Sequence, residues 1–144
     1  MANMPGFATT DISDDHGDAV YILAPGFQDY GGIDRFCGPV ATLIAFEDNT
    51  KVRAAVERDG AGHVLVVDGG ASSQCALFGG NLAQMAAQNN WAGIIINGCV
   101  RDTDELAAEK VGIKARGVHP RKSKKRDLGL ADIPVKFAGI RIYP

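Results

Sequence analysis

Two periods of apolar residues organise this chain. His63 to Val67 and Ile94-Ile95-Ile96 are continuous apolar runs of strand length, the pattern of strands covered on both faces, and the β-branched stretch from Gly38 to Phe46 predicts a third buried strand. Leu82, Met85 and Ala86 recur at helical spacing and predict a helix from Asn81 to about Asn89, after which Gly93 resets the chain. Glu47-Asp48-Asn49-Thr50 supplies capping residues for a helix running through Arg58, ended by Gly60 and Gly62. Glu105 to Lys110 is helical by composition and Val111 to Ala115 reads as a strand. Val135, Phe137, Ile140 and Ile142 predict a last strand pair bent at Ala138-Gly139. Near the start, Thr9 to His16 combines capping residues with early carboxylates, which suits a short helix, and Val20 to Leu23 reads as a short strand broken by Ala24-Pro25-Gly26.

The chain has 144 residues, the size of one ordinary domain, with 46% hydrophobic and 22% charged residues, close to the globular average. A formal charge of −2 argues against general affinity for nucleic acid or an anionic membrane, since both require a basic excess. No apolar run approaches the ~20 residues that span a bilayer. Met1 to Asp18 is acidic and has neither a basic start nor an apolar stretch of signal-peptide length. Cys37, Cys75 and Cys99 are odd in number and widely spaced, so they read as buried free thiols in a reducing cytosol.

Candidate chemistry is concentrated between Gly79 and Glu105. Gly79-Gly80-Asn81-Leu82 opens a helix, and a glycine pair there offers free amides to an anion, although on its own such a segment is more often a simple turn with an Asn cap. Twenty residues separate Gly80 from Arg101, which with Asp102 ends the next predicted strand. Side chains at the carboxyl ends of strands line ligand crevices in α/β folds. A planar guanidinium there suits a carboxylate and keto oxygen, and a carboxylate suits a hydrated Mg²⁺-like ion. Together they describe a pocket for a small carboxylate and a divalent metal. Asp68-Gly69-Gly70 follows a strand, but no G-x-G-x-x-G is present, so Asp68 reads as a turn residue at the pocket edge. Arg116, Arg121, Lys122, Lys124, Lys125 and Arg126 place six of the fifteen basic residues within eleven positions. A solvated face is the default reading, contact with an anionic substrate or acidic partner the second, and RNA the third, because no aromatics are interleaved. His16, His63 and His119 have no metal spacing.

On these residues the chain resembles the RraA-like family, which includes regulators of ribonuclease E activity and metal-dependent 4-hydroxy-4-methyl-2-oxoglutarate aldolases. The carriers are the Thr9-Thr10-Asp11 start, Phe36-Cys37-Gly38-Pro39 with Thr42, Val66 to Gly70, the Gly-Gly-Asn-Leu-Ala helix start, Gly98 to Asp102 with Glu105, and Gly117 to Arg121. The resemblance implies a layered β/β/α domain of the swivelling, phosphohistidine-domain-like kind over residues 1–144, without the family's last strand. It implies a homotrimer with the site between subunits. It also implies a cytoplasmic lyase that passes through pyruvate enolate, cleaving 4-hydroxy-4-methyl-2-oxoglutarate or decarboxylating oxaloacetate with Mg²⁺ or Mn²⁺. Gly79, Gly80, Asn81 and Leu82 match the segment that receives the substrate carboxylate, Arg101 the substrate-binding and catalytic arginine, Asp102 the metal ligand, and Glu105 the acidic residue that orders waters around the ion. The general base is left between Glu105 and a metal-bound water. Two departures stand out: aldolases of the family commonly carry an aspartate at the position of Gly80, and this chain stops at Pro144. The alternative is a non-catalytic inhibitor of ribonuclease E, although pure regulators tend to lack the aspartate after the arginine. A methyltransferase is a poor third option, since the glycine-rich nucleoside loop is missing.

Overall fold

The computed structural model describes residues 6–144, so the first five positions of the acidic N-terminus lie outside the described residues. The elements are α1 (Thr9–His16), a 3-10 turn (Gly17–Ala19), β1 (Gln28–Asp29), β2 (Val40–Ile44), α2 (Thr50–Val56), β3 (Val64–Asp68), β4 (Ala76–Phe78), α3 (Gly80–Gln88), β5 (Gly93–Val100), α4 (Thr103–Ala108), β6 (Gly112–Val118), β7 (Leu130–Ala131), β8 (Val135–Phe137) and β9 (Ile140–Ile142). Strands β2, β3, β5 and β6 pair in parallel, with β1 and β7 antiparallel at the two edges in the order β1-β6-β5-β3-β2-β7. Parallel neighbours need crossovers, and α2, α3 and α4 provide them.

The continuous apolar runs are explained by two cores. On one face Leu65, Val67, Ile94, Ile96 and Ile113 pack against Val52 and Val56 of α2, Leu82, Ala83 and Ala86 of α3, and Leu106 of α4. On the other face Val64 and Val66 pack with Val135 and Phe137 of the small β8–β9 sheet, joined by Leu23, Phe27 and Phe36. Alternate residues of β3 thus serve opposite layers, which is why the strand has no polar face. The result is the layered α/β arrangement expected of the chain.

Several expectations need correction. Val20 to Leu23 is not a strand: no ladder among the described residues pairs with it, Tyr21 is 81% and Ile22 66% exposed, and the nearby backbone bond runs from Ala24 N–H to the Ala138 carbonyl at 2.9 Å. Helix α4 begins at Thr103, two residues before Glu105, because Asp102 turns the chain in a left-handed conformation (φ 57°) and its carbonyl accepts the Leu106 N–H at 2.9 Å. Strand β6 runs past Ala115 to Val118, because β5 continues beside it as far as the Val100–Val118 pair. Cys37 is exposed, whereas Cys75 and Cys99 are buried.

Candidate functional site

The short strand β4 builds the site. Strand β3 ends at Asp68 opposite Asn97, and beyond that level β5 takes β4 as its parallel neighbour, with Ala76 beside Cys99 and Phe78 beside Val100. Two parallel strands that end level with one another deliver their next residues side by side. Gly79-Gly80 therefore emerges next to Arg101-Asp102, and the Arg101 N–H donates to the Phe78 carbonyl at 2.9 Å. Helix α3 starts at once, so Asn81 and Leu82 carry first-turn amides without intrahelical acceptors.

Those residues line a cleft of about 120 Å³ together with Ala76, Phe78, Asn49, Arg53, Lys122 and Lys125. The Gly80 N–H donates to Asp102 Oδ2 at 3.0 Å, so Asp102 puts a negative charge on the positive end of α3 rather than capping its own helix. The left-handed backbone that aims it there is one that Asp tolerates better than most residues. Arg101 Nε lies 3.9 Å from the same Oδ2, with both side chains 38% exposed, and Nη1 reaches the Pro120 carbonyl at 3.5 Å. The guanidinium is thus held loosely and keeps donors for a ligand.

The glycine pair is there for space. A Cβ on Gly79 would stand 2.7 Å from Asp102 Oδ2, and one on Gly80 would collide with Glu105 Oε2. Glu105 does not line the cleft; its carboxylate lies against Gly80, in the room that a side chain there would take. Asp102 lies against Gly79 and Glu105 against Gly80, each a hard oxygen donor. No cluster of three or more His, Cys, Asp or Glu side chains exists among the described residues, which does not suit zinc. One or two carboxylates fit an ion that keeps most of its waters, such as Mg²⁺ or Mn²⁺.

Another part of the cleft wall is basic, and from the sequence its contact with an anionic substrate ranked second to a solvated face. The segment after β6 was expected to be a solvated face. Its basic side chains from Arg121 to Arg126 are exposed, but its backbone is fastened at every few residues. The His119 N–H reaches the Val100 carbonyl, the Arg121 carbonyl accepts the Ala76 N–H at 2.8 Å, and buried Ser123 both accepts from the Asn49 N–H and donates to Asn49 Oδ1 at 3.0 Å. Asp48, 1% exposed, closes the segment: its carboxylate accepts Thr50 N–H and Oγ1–H on one oxygen, and Arg126 and Leu128 N–H on the other. Burial raises the Asp48 pKa, but these bonds outweigh it and hold the carboxyl well below the usual range. Lys122 and Lys125 thereby reach the cleft. The signal available in the sequence was Asp48 itself, the second of two acidic residues that follow a buried-type strand.

Asp68 is a turn residue, accepting the Gly70 N–H and the Asn97 amide, and does not line the cleft. His119 orients the basic segment by accepting the Arg121 N–H at 3.1 Å. Burial pushes the Cys99 thiol up, and burial with Glu47 nearby does the same for Cys75, so neither thiol is prepared as a nucleophile.

The family model described as RraA-like (Aldolase/RraA) matches residues 9–144. A protein of Burkholderia mallei (strain SAVP1) named "Putative 4-hydroxy-4-methyl-2-oxoglutarate aldolase" is 57% identical over 143 residues, which is 96% of this chain and 87% of that protein. A crystal structure from Geobacillus kaustophilus HTA426, described as S-adenosylmethionine: 2-dimethylmenaquinone methyltransferase, matches with a TM-score of 0.93 at 44% identity over 96% of this chain and 86% of its own. The "RNA-processing inhibitor RraA from Thermus thermophilis" also gives 0.93 and 44%, over 97% of this chain and 85% of that one.

Proposed function

Because this chain belongs to the RraA-like family, we propose that it is a divalent-metal-dependent lyase acting on a carbon–carbon bond next to a 2-oxo acid: 4-hydroxy-4-methyl-2-oxoglutarate aldolase with oxaloacetate decarboxylase activity. The name of the 57%-identical relative supports the substrate. The observation that carries the reading is the Phe78–Val100 pairing, which sets an anion-accepting helix start beside one arginine and a pair of carboxylates.

In this reading the amides of Asn81 and Leu82 receive the substrate carboxylate, while Gly79 and Gly80 leave room for the Asp102 and Glu105 carboxylates. Arg101 lies against the 2-oxo oxygen and stabilises the negative charge that gathers there as the bond to the neighbouring carbon breaks. The proton of the 4-hydroxyl passes out of the cleft through water toward Glu105, whose carboxylate stands outside it against Gly80 and has no side-chain hydrogen bond or ion pair among the described residues. Asp102 would hold the divalent cation and Glu105 would order water around it; when bound, the ion would supply Lewis acidity. Decarboxylation of oxaloacetate needs the same charge stabilisation and no hydroxyl proton transfer.

Pyruvate release from both acids, lost on chelation and restored by Mg²⁺ or Mn²⁺, is the expected result. Arg101→Ala should abolish it, by 10²-fold or about that, the usual scale for one removed charge-stabilising donor; unchanged turnover in that variant refutes the reading. A second reading, inhibition of an RNA-processing enzyme, is favoured by the Thermus relative. Chelated and reloaded protein that stays inert on 2-oxo acids yet lowers ribonuclease activity decides for it. Methyl transfer fits less well, because a small cleft lined by Arg53, Arg101, Lys122 and Lys125 repels a sulfonium donor.

A further inference from the structure

Four cations and one carboxylate line the cleft, a surplus that a single carboxylate ligand would not balance. Arg53 is engaged with Glu57 at 3.0 Å and Arg101 lies beside Asp102. Lys122 and Lys125 have no acidic partner within 4.0 Å and no side-chain hydrogen bond among the described residues. They stand on a backbone pinned by buried Ser123 and by the four bonds of Asp48. Two free ammonium groups, carried on a pinned backbone and lining the same small cleft as an anion-accepting helix start, form the second half of a receptor for a molecule with two negative ends.

We propose that Lys122 and Lys125 are a distal-carboxylate subsite that makes the cleft selective for 2-oxo diacids. The assignment of the near end rests on the lyase reading above. The subsite acts differently on the two substrates, because their second carboxylates have different fates. In 4-hydroxy-4-methyl-2-oxoglutarate the carbon–carbon bond breaks between C3 and C4, its electrons form the enolate of one pyruvate, the 4-hydroxyl loses its proton, and the distal carboxylate stays on the second pyruvate. Its pairing with the lysines persists through the reaction and aids binding throughout. In oxaloacetate the distal carboxylate is itself the leaving group, and it gives up its charge to the enolate as CO₂ departs. Lysines that pair with it stabilise the reactant and oppose that step. Neutralising them should therefore weaken binding of both acids, lower kcat/KM for the aldol substrate, and raise kcat for decarboxylation.

The test compares the wild-type chain with Lys122→Gln, Lys125→Gln and the double variant, using 2-oxoglutarate and 2-oxobutyrate as non-cleaved probes and saturation-transfer NMR titrations for affinity. The expected wild-type result is a preference for the diacid of about fivefold at low salt, the sum of two exposed ion pairs, shrinking as salt rises. In the double variant the preference disappears while 2-oxobutyrate binds as before. Equal affinity of the two probes in the wild-type chain, or a preference that survives the double substitution, overturns the proposal. A lysine-dependent preference in a chain that releases no pyruvate from any acid upholds the subsite and refutes the lyase reading instead.

Discussion

Asp48 is a charged side chain inside the protein with no ion-pair partner among the described residues, and its four hydrogen bonds define what it does. Its carboxyl pKa is lowered on folding, so the unfolded chain holds the proton more tightly and the folded form gains stability wherever the group is ionised in both states. That contribution is fully present above the unfolded value of about 4 and is lost as pH falls toward the lower folded value. Asp48→Asn puts an amide donor where Arg126 and Leu128 N–H need an acceptor, at a cost of about 3 kcal/mol at neutral pH. Urea unfolding of both proteins from pH 7 down to pH 3 should show the gap narrowing below about pH 4; a constant gap would mean that ionisation is not the source. Gly80 gives a residue-scale test of the carboxylate pair. Gly80→Ala places a methyl where the Glu105 carboxylate lies, and the flexible glutamate can swing away. Mn²⁺ affinity by electron paramagnetic resonance should fall about tenfold, as for loss of a group that orients metal-bound waters, while the melting temperature moves by only a few degrees.

At the scale of elements, what could be read from the sequence followed the strength of the local pattern. The runs at Val64–Val67 and Ile94–Ile96 are buried on both faces, so each residue carries the signal, and they became β3 and β5. Helix α3 appeared within a residue of its expected start because Leu82, Ala83 and Ala86 face one core. Strand β4 escaped notice: three residues cannot establish a period, and Ala76-Leu77-Phe78 is a strand only because β5 outlasts β3 and offers it a partner. The edge strands β1 and β7, two residues each, exist for the same reason. Val20 to Leu23 is the converse, a strand-like composition that no edge accepts. In the cleft, the half built from consecutive residues, Gly79 to Leu82 and Arg101-Asp102, was visible in the sequence. The half that depends on Asp48 meeting residues nearly eighty positions away was not, because nothing local marks a charge run as anchored.

Over the whole molecule, the apolar surface is uneven. Tyr21, Ile22, Phe46, Leu128, Leu130 and Tyr143 are all more than half exposed, and the segment from Val20 to Phe27 borders an open, largely apolar groove of about 650 Å³. Single exposed apolar residues are ordinary, but so many on 144 residues suit a surface covered by other copies. We propose a homotrimer, in keeping with the resemblance to RraA-like proteins; sedimentation equilibrium should return three times the 15.2 kDa of one chain, and a monomer at micromolar concentration would refute it. No helix among the described residues is long and apolar enough to cross a membrane. The cleft draws on α2, on the ends of β4 and β5, and on the segment that leaves β6, so its two walls are far apart in the chain and meet only when the central sheet is complete. A diacid bridging those walls would act as a clasp between the two halves of the polypeptide, resisting global unfolding rather than stiffening one loop.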